Sequence, residues 1–157
     1  MINVMTYLEP RLAHSQEIIF LELDDVNEII FFQKGCIDIG YEISKKKLYK
    51  LRIRKELVVG SFYVTFDRRA MFSVKASQEC LGLQIRKAKW ADILSQFPDL
   101  AKTLKSKILD DFYKKTRKPM MTQKKRDINN LASSAGNSKL TYKEVEKSPN
   151  DYYDLLI

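Results

Sequence analysis

Seven short runs rich in Val, Ile, Leu, Phe and Tyr follow one another between residues 17 and 86, and no other feature limits the fold so strongly. They cover residues 17–23, 28–33, 36–43, 47–53, 56–59, 71–76 and 80–85. Each has the length of a strand, and their even spacing predicts an antiparallel sandwich or barrel. The breaks fall where turn chemistry expects them, at Asp24-Asp25, Lys34-Gly35, Ser44-Lys45-Lys46, Lys55-Glu56 and Ser77-Gln78-Glu79. Gly35 is the clearest of these signals, because a residue without Cβ takes a positive φ without strain.

After Arg86 the period changes. Trp90, Ile93, Leu94 and Phe97 recur at helical spacing, and Leu100, Leu104, Ile108 and Phe112 continue it beyond Pro98. Two helices are predicted. The residue before a proline avoids the α region, so Phe97 is expected to end the first helix and Asp99 to cap the second. Beyond residue 117 apolar residues thin out and Lys and Arg accumulate, and Ser133-Ser134-Ala135-Gly136-Asn137-Ser138 has the composition of a linker. The last six residues, Tyr-Tyr-Asp-Leu-Leu-Ile, are apolar again and read as either a docking segment or a short tail. The class that follows is α+β and mainly β. A lead-in spans 1–16, an antiparallel β region 17–86, C-terminal helices 87–117 and a basic, partly flexible tail 118–157.

The chain of 157 residues carries 28 Lys and Arg against 20 Asp and Glu, and the imbalance is local. Residues 101–147 hold 13 basic against 5 acidic groups, a net +8, whereas residues 1–100 are +2 and residues 148–157 are −2. With 45% hydrophobic and 31% charged residues the chain reads as one globular domain. No run approaches the apolar length that spans a bilayer, and residues 1–12 lack the zones of a signal peptide, so a soluble, intracellular chain is expected.

Cys36 and Cys80 are far apart and the single histidine, His14, has no ligand-like partner. Buried reduced thiols are therefore expected rather than a metal site or a disulfide framework. Adjacent carboxylates at Asp24-Asp25 and Asp110-Asp111 point apart on a strand or helix and lack the accompanying groups that hydrolysis or phosphoryl transfer needs. They read as turn and helix-surface charges, and the chain as no enzyme. The basic segment attracts phosphate polymers by counterion release, but no zinc finger or RNP-like motif points to a specific nucleic acid.

Residues 60–76, Gly-Ser-Phe-Tyr-Val-Thr-Phe-Asp-Arg-Arg-Ala-Met-Phe-Ser-Val-Lys-Ala, resemble the phosphate-binding cassette of the cyclic nucleotide-binding domain family. Gly60, Val74 and Ala76 keep its frame. Two further stretches are similar to that family: residues 17–39, with Glu17-Ile18-Ile19-Phe20 and a strand ending at Gly35, and residues 85–98, which run from the last strand to a helix ending at proline. The resemblance spans about residues 17–115. It implies a jelly-roll-like β-roll followed by helices.

In register, the family's ribose-binding Glu falls on Ser61 and its phosphate-binding Arg on Ala70. A guanidinium fork matches phosphate oxygens, so alanine removes the strong charge-assisted contact, and Ser61 carries no charge. The resemblance thus implies a degenerate nucleotide pocket at Gly60, Ser61, Phe62, Arg68, Arg69 and Ala70, with Phe62, Tyr63 and Phe66 in the space of a purine and ribose. No cofactor is expected, cAMP and cGMP being disfavoured. The alternative is a genuine cAMP or cGMP sensor that uses Arg68 or Arg69 for the phosphate, with backbone amides supplying the rest.

A narrower resemblance links residues 60–66, 85–90 and 112–120 to the degenerate cytoplasmic domains of ciliate-type voltage-gated potassium channels. It implies a non-catalytic regulatory module on the cytoplasmic side of a membrane, joined to the remainder of a channel polypeptide or its subunits and tetrameric there. Lys105, Lys114, Lys115, Lys118, Lys124, Lys125 and Arg126 would face anionic lipid. Function on this reading is mechanical, with Trp90, Leu94, Phe97, Leu104, Ile108 and Phe112 packing the helices on the roll.

Overall fold

The computed structural model describes residues 4–134 apart from residue 56. Among the described residues a 3-10 turn, Val4–Tyr7, precedes eight strands. These are β1 (Glu9–Ala13), β2 (Ile18–Phe20), β3 (Glu28–Lys34), β4 (Ile37–Ile43), β5 (Lys46–Ile53), β6 (Leu57–Val59), β7 (Ser73–Ala76) and β8 (Cys80–Arg86). A short helix, α1 (Ser61–Thr65), interrupts them between β6 and β7. The strands form two antiparallel sheets of four, in the orders β1-β8-β3-β6 and β2-β7-β4-β5. This is the expected roll.

Apolar side chains from the two sheets meet between them: Ile30, Phe32, Leu57, Val59 and Cys80 from one, Ile37, Ile39, Tyr41, Val74 and Ala76 from the other. Strand alternation requires this division, since a one-residue slip would turn every such side chain outward. The β4–β5 hairpin is closed by Ser44 and Lys45, both at positive φ (51° and 63°), which gives the primed turn that matches strand twist. Asp38 and Arg52 sit opposite each other on these strands and form a two-pronged ion pair at 2.7 and 2.9 Å.

Strand β1 lies inside the segment expected to be a lead-in. Its five residues, Glu-Pro-Arg-Leu-Ala, show no apolar alternation, and Pro10 argues against a central strand. Proline is tolerated because β1 is an edge strand, paired only with β8. The expected run at 17–23 shortens to β2, where a bulge intervenes and Leu23 turns to positive φ. Helix α1 was also invisible in the β-rich sequence, as it spans barely one turn of aromatic and β-branched residues with low helix propensity.

Behind the roll run α2 (Lys87–Gln96) and α3 (Pro98–Phe112). Phe97 ends α2 as expected. Asp99 does not cap α3: Phe97 holds the cap position, Pro98 fills the first turn where its missing N–H costs nothing, and Asp99 is the acidic residue of that turn. The restart at Pro98 also shifts the buried face. Ile93, Ala101 and Leu109 are buried, whereas Phe97 and Leu100 are 42% and 51% exposed, so Phe97 does not pack the helices on the roll.

The rod continues through a π-helical turn, Tyr113–Arg117, into α4 (Lys118–Ser134). The first part of the basic, partly flexible tail, residues 118–134, is thus helical. Pro119 can neither donate to an α-pattern carbonyl nor accept one close by, and the wider π turn just before it absorbs the mismatch. The remainder of the linker-like stretch and the apolar last six residues lie outside the described residues.

Candidate functional site

The cassette begins where β6 ends. Gly60 stands at φ +85°, and a Cβ there would lie 2.6 Å from the Glu28 carbonyl oxygen, so both conformation and space require glycine. Its carbonyl accepts the first bond of α1, from Val64 N–H at 3.0 Å. One turn later Phe66 N–H donates to the Phe62 carbonyl and Arg68 N–H to the Tyr63 carbonyl, and the chain reverses at Asp67 with φ 51°. The Lys87 ammonium binds the Asp67 carboxylate and holds its carboxyl below the usual range.

Segment 68–70 returns beside the loop after β2. Ala70 N–H donates to the Asp24 carbonyl at 3.0 Å, and Leu23 N–H donates to the Ala70 carbonyl at 2.7 Å. Ala70 is 1% exposed, so its methyl lies in the core. Arg69 points outward and pairs at 3.3 Å with Asp25 across an isolated bridge. Arg68 is exposed, and Ser61 is half-buried at the start of α1. The structure therefore brings Gly60, Ser61 and Phe62 together at one end of α1 and places Arg68 and Arg69 on the surface beyond its other end.

Aromatic rings fix α1 between the roll and α3. Phe62 stacks face to face on Phe112 with centroids 4.0 Å apart. Tyr63 meets Phe112 edge-on at 5.5 Å and Phe20 at 5.7 Å. Phe62 and Tyr63 are buried, and Phe66 is half-buried against Phe62. Trp90 of α2 donates its indole N–H to the Thr65 hydroxyl at 2.9 Å. The cassette helix is thus in direct contact with both helices behind the roll.

A second contact joins α4 to β4 and β5, and sequence reasoning did not find it. The Tyr41 hydroxyl donates to Asp127 Oδ2 at 2.5 Å, the Lys50 ammonium lies 3.2 Å from the same oxygen, and the Gln123 amide donates to Oδ1 at 3.0 Å. Tyr41 and Met120 are each 1% exposed. The only prior signal was the i,i+4 pair Gln123 and Asp127 in a segment otherwise dominated by charge.

The basic residues divide. Lys118, Lys125 and Arg126 are exposed, and Lys114 and Lys115 are exposed but paired one turn back with Asp110 and Asp111 at 2.9 and 3.5 Å. Lys124 turns inward to Glu22 at 3.8 Å and over the Tyr41 ring, so it does not belong to an outward basic face. Lys105 is half-buried beside α2. Asp24 accepts from Leu21 N–H, closing the turn read from sequence. Cys36 and Cys80 are buried free thiols, and burial pushes the Cys80 thiol up, away from the reactive thiolate. Among the described residues no helix is long and apolar enough to cross a membrane.

No protein-family model matches the sequence, and no curated protein matches it. Solved structures do resemble the fold. A cyclic nucleotide-binding protein from Geobacter metallireducens superposes with a TM-score of 0.54 at 13% identity, over 65% of this chain and 74% of that one. The regulatory domain of Toxoplasma gondii PKA, crystallised with cAMP, gives 0.53 at 10% identity over 64% and 40%. A variant of the cAMP-binding acyltransferase from Mycobacterium smegmatis gives 0.52 at 17% identity over 66% of this chain, which spans only 32% of that enzyme's length. The fold is that of a cyclic nucleotide-binding domain: a jelly-roll-like β-roll with helices behind it.

Proposed function

We propose that this chain is a non-catalytic regulatory module that keeps the frame of a cyclic nucleotide-binding domain and has given up its nucleotide. The observation that carries this reading is Ala70. The family resemblance puts the phosphate-binding guanidinium there, and the residue present is a core methyl held between two backbone hydrogen bonds. Ser61, at the family's carboxylate position, offers a hydroxyl and no charge.

What remains is a mechanical linkage. Helix α1 touches α3 through Phe62 and Phe112, and α3 runs unbroken into α4, which Asp127 ties to β4 and β5. A partner that binds one arrangement of this linkage more tightly than another would shift it, with no nucleotide involved. The paired carboxylates support a non-catalytic role: Asp25 pairs with Arg69, Asp110 with Lys114 and Asp111 with Lys115.

Calorimetric titration with cAMP and cGMP tests the proposal, and no saturable heat is expected. Saturable micromolar binding would overturn it. The second reading, a genuine sensor, draws support from the exposed guanidinium of Arg68, which has no ion pair among the described residues, and from the cAMP-binding neighbours. Loss of such binding in Arg68→Ala or Arg69→Ala would establish it.

Attachment to a potassium channel, with the exposed Lys114, Lys115, Lys118, Lys125 and Arg126 near anionic lipid, rests on the sequence resemblance at residues 60–66, 85–90 and 112–120. An antibody against the roll should then detect a membrane-bound polypeptide far larger than 18.4 kDa. Detection of only a soluble species of that mass would reject the channel context.

A further inference from the structure

The outer face of the β1-β8-β3-β6 sheet departs from the usual pattern of a solvated sheet. Side chains alternate along each strand, and an antiparallel sheet with one face in water carries polar residues on that face. Ala13, Ile30, Phe32, Leu57, Val59 and Cys80 are buried in the roll, so the positions next to them in sequence point outward. Those positions are apolar. Pro10 pairs with Leu83, Leu83 with Phe31 and Phe31 with Val58, which makes one apolar row across all four strands. Leu12 and Leu81 pair in the next row. Leu12, Val58 and Leu81 are 40%, 45% and 46% exposed, and Pro10 is exposed too.

At one end the same face is covered. Ile29 and Ile85 pair in the outward row nearest the helices and are each 1% exposed, where α2 follows β8 directly and Lys87 N–H donates to the Asn27 carbonyl. The bare rows continue that covered surface away from the helices. Between the helices and the bulge before Lys34, no outward position among the described residues is charged. The positive excess of residues 101–147 is carried on α3 and α4, and Asp127 ties α4 to β4 and β5 in the opposite sheet. A chain of net charge +8 resists self-association, and it meets a second copy at least cost through a face free of that charge.

We propose that this face joins two copies of the chain, sheet on sheet, about a two-fold axis that runs along the strands between β8 and β3. The helices set the direction of the axis. An axis along the strands lays bare end on bare end, whereas one across them would bring the helix-covered end of each copy onto the bare rows of the other. The strand order is then reversed between copies, with β8 opposite β3 and β1 opposite β6, so the same patch serves both sides. Leu83 meets the second copy's Phe31, and Pro10 and Leu12 meet its Val58. At the rim the exposed Lys34, which ends β3, faces the second copy's exposed Glu79, which precedes β8. Opposite charges therefore meet twice. Four strands about 4.8 Å apart and about five residues of each give roughly 300 Å² of flat area a side, at the low end for association. A weak dimer follows, with Kd about 10 to 100 μM. The proposal is independent of whether the cassette takes a nucleotide.

Sedimentation equilibrium of the full chain from about 1 to 500 μM tests this. The average mass is expected to climb from 18.4 kDa toward twice that value. Val58→Asp and Leu83→Asp should each weaken association by about tenfold or more. Leu23→Asp, at a residue 72% exposed in the loop after β2, should leave it unchanged. Lys34→Glu should weaken association, and adding Glu79→Lys should restore it with the charges exchanged. Circular dichroism verifies that each variant is folded, and the exposed Val58, Lys34 and Glu79 keep the test independent of core packing. Leu12→Cys with Val58→Cys in one chain tests the strand order. Strands β1 and β6 are the two edges of the sheet, about 14 Å apart within one copy, so a shorter bis-maleimide joins the introduced thiols only between copies. Cys36 and Cys80 are buried and do not compete. A covalent dimer that disappears with Leu83→Asp is the expected product. The mass of one chain at every concentration, association that ignores Val58→Asp and Leu83→Asp, or no coupling between the introduced thiols would each overturn the proposal.

Discussion

Gly60 shows how a single residue fixes the entrance to the cassette. Alanine there meets two penalties: a positive φ that L side chains resist, and a Cβ 2.6 Å from the Glu28 carbonyl oxygen. Gly60→Ala should destabilise the fold by about 2 to 4 kcal/mol in equilibrium denaturation. A loss within a few tenths of a kcal/mol would mean that the turn relaxes freely. Ala70 is the complementary case. Its identity was readable from the sequence, but its burial was not, because burial depends on the two backbone hydrogen bonds to the loop after β2. The surface pairing of Arg69 with Asp25 was equally unreadable, since it joins residues 44 positions apart.

At the scale of elements, α4 is held by a few polar contacts around one carboxylate. The Tyr41 hydroxyl, then Lys50 and Gln123, hold the Asp127 carboxyl below its ordinary value near 3.8. A depressed carboxylate stabilises the folded state fully above its unfolded pKa and loses that contribution as pH falls through the folded value. The docking of α4 should therefore be constant above about pH 5 and weaken progressively below it. Amide exchange in residues 118–134 checks this: exchange corrected for its intrinsic pH dependence should quicken below that pH in the native chain. In Asp127→Asn it should be faster at neutral pH and should lack the Asp127 component of the acid response. Identical profiles for both chains would show that the Tyr41–Asp127–Lys50 contact does not hold the helix. Elements with an apolar period were legible in the sequence, as β3, β4, β5 and β8 show. Those without one were not. Strand β1 is stabilised by edge pairing, α1 by its aromatic contacts and α4 by Met120 and the Asp127 cluster, and each of these depends on partners distant in sequence.

For the whole molecule, the pieces form one continuous path of contacts from cassette to α1, from α1 through Phe62 and Phe112 to α3, and on through the π turn to α4. The run of strands from residue 17 and the two helices after it follow from periodicity and turn chemistry, whereas the roll itself is what the family resemblance implies. The fold family required the order and spacing of several weak motifs, and superposition on known domains at TM-scores of 0.52 to 0.54 supports that reading. The central claim, a nucleotide-domain frame that works without nucleotide, is tested most directly by following backbone amide resonances of the whole chain during titration with cAMP. The account predicts no saturable shift among residues 60–76 at millimolar nucleotide. A saturable shift centred on Gly60, Ser61 and Ala70 at micromolar cAMP would contradict it.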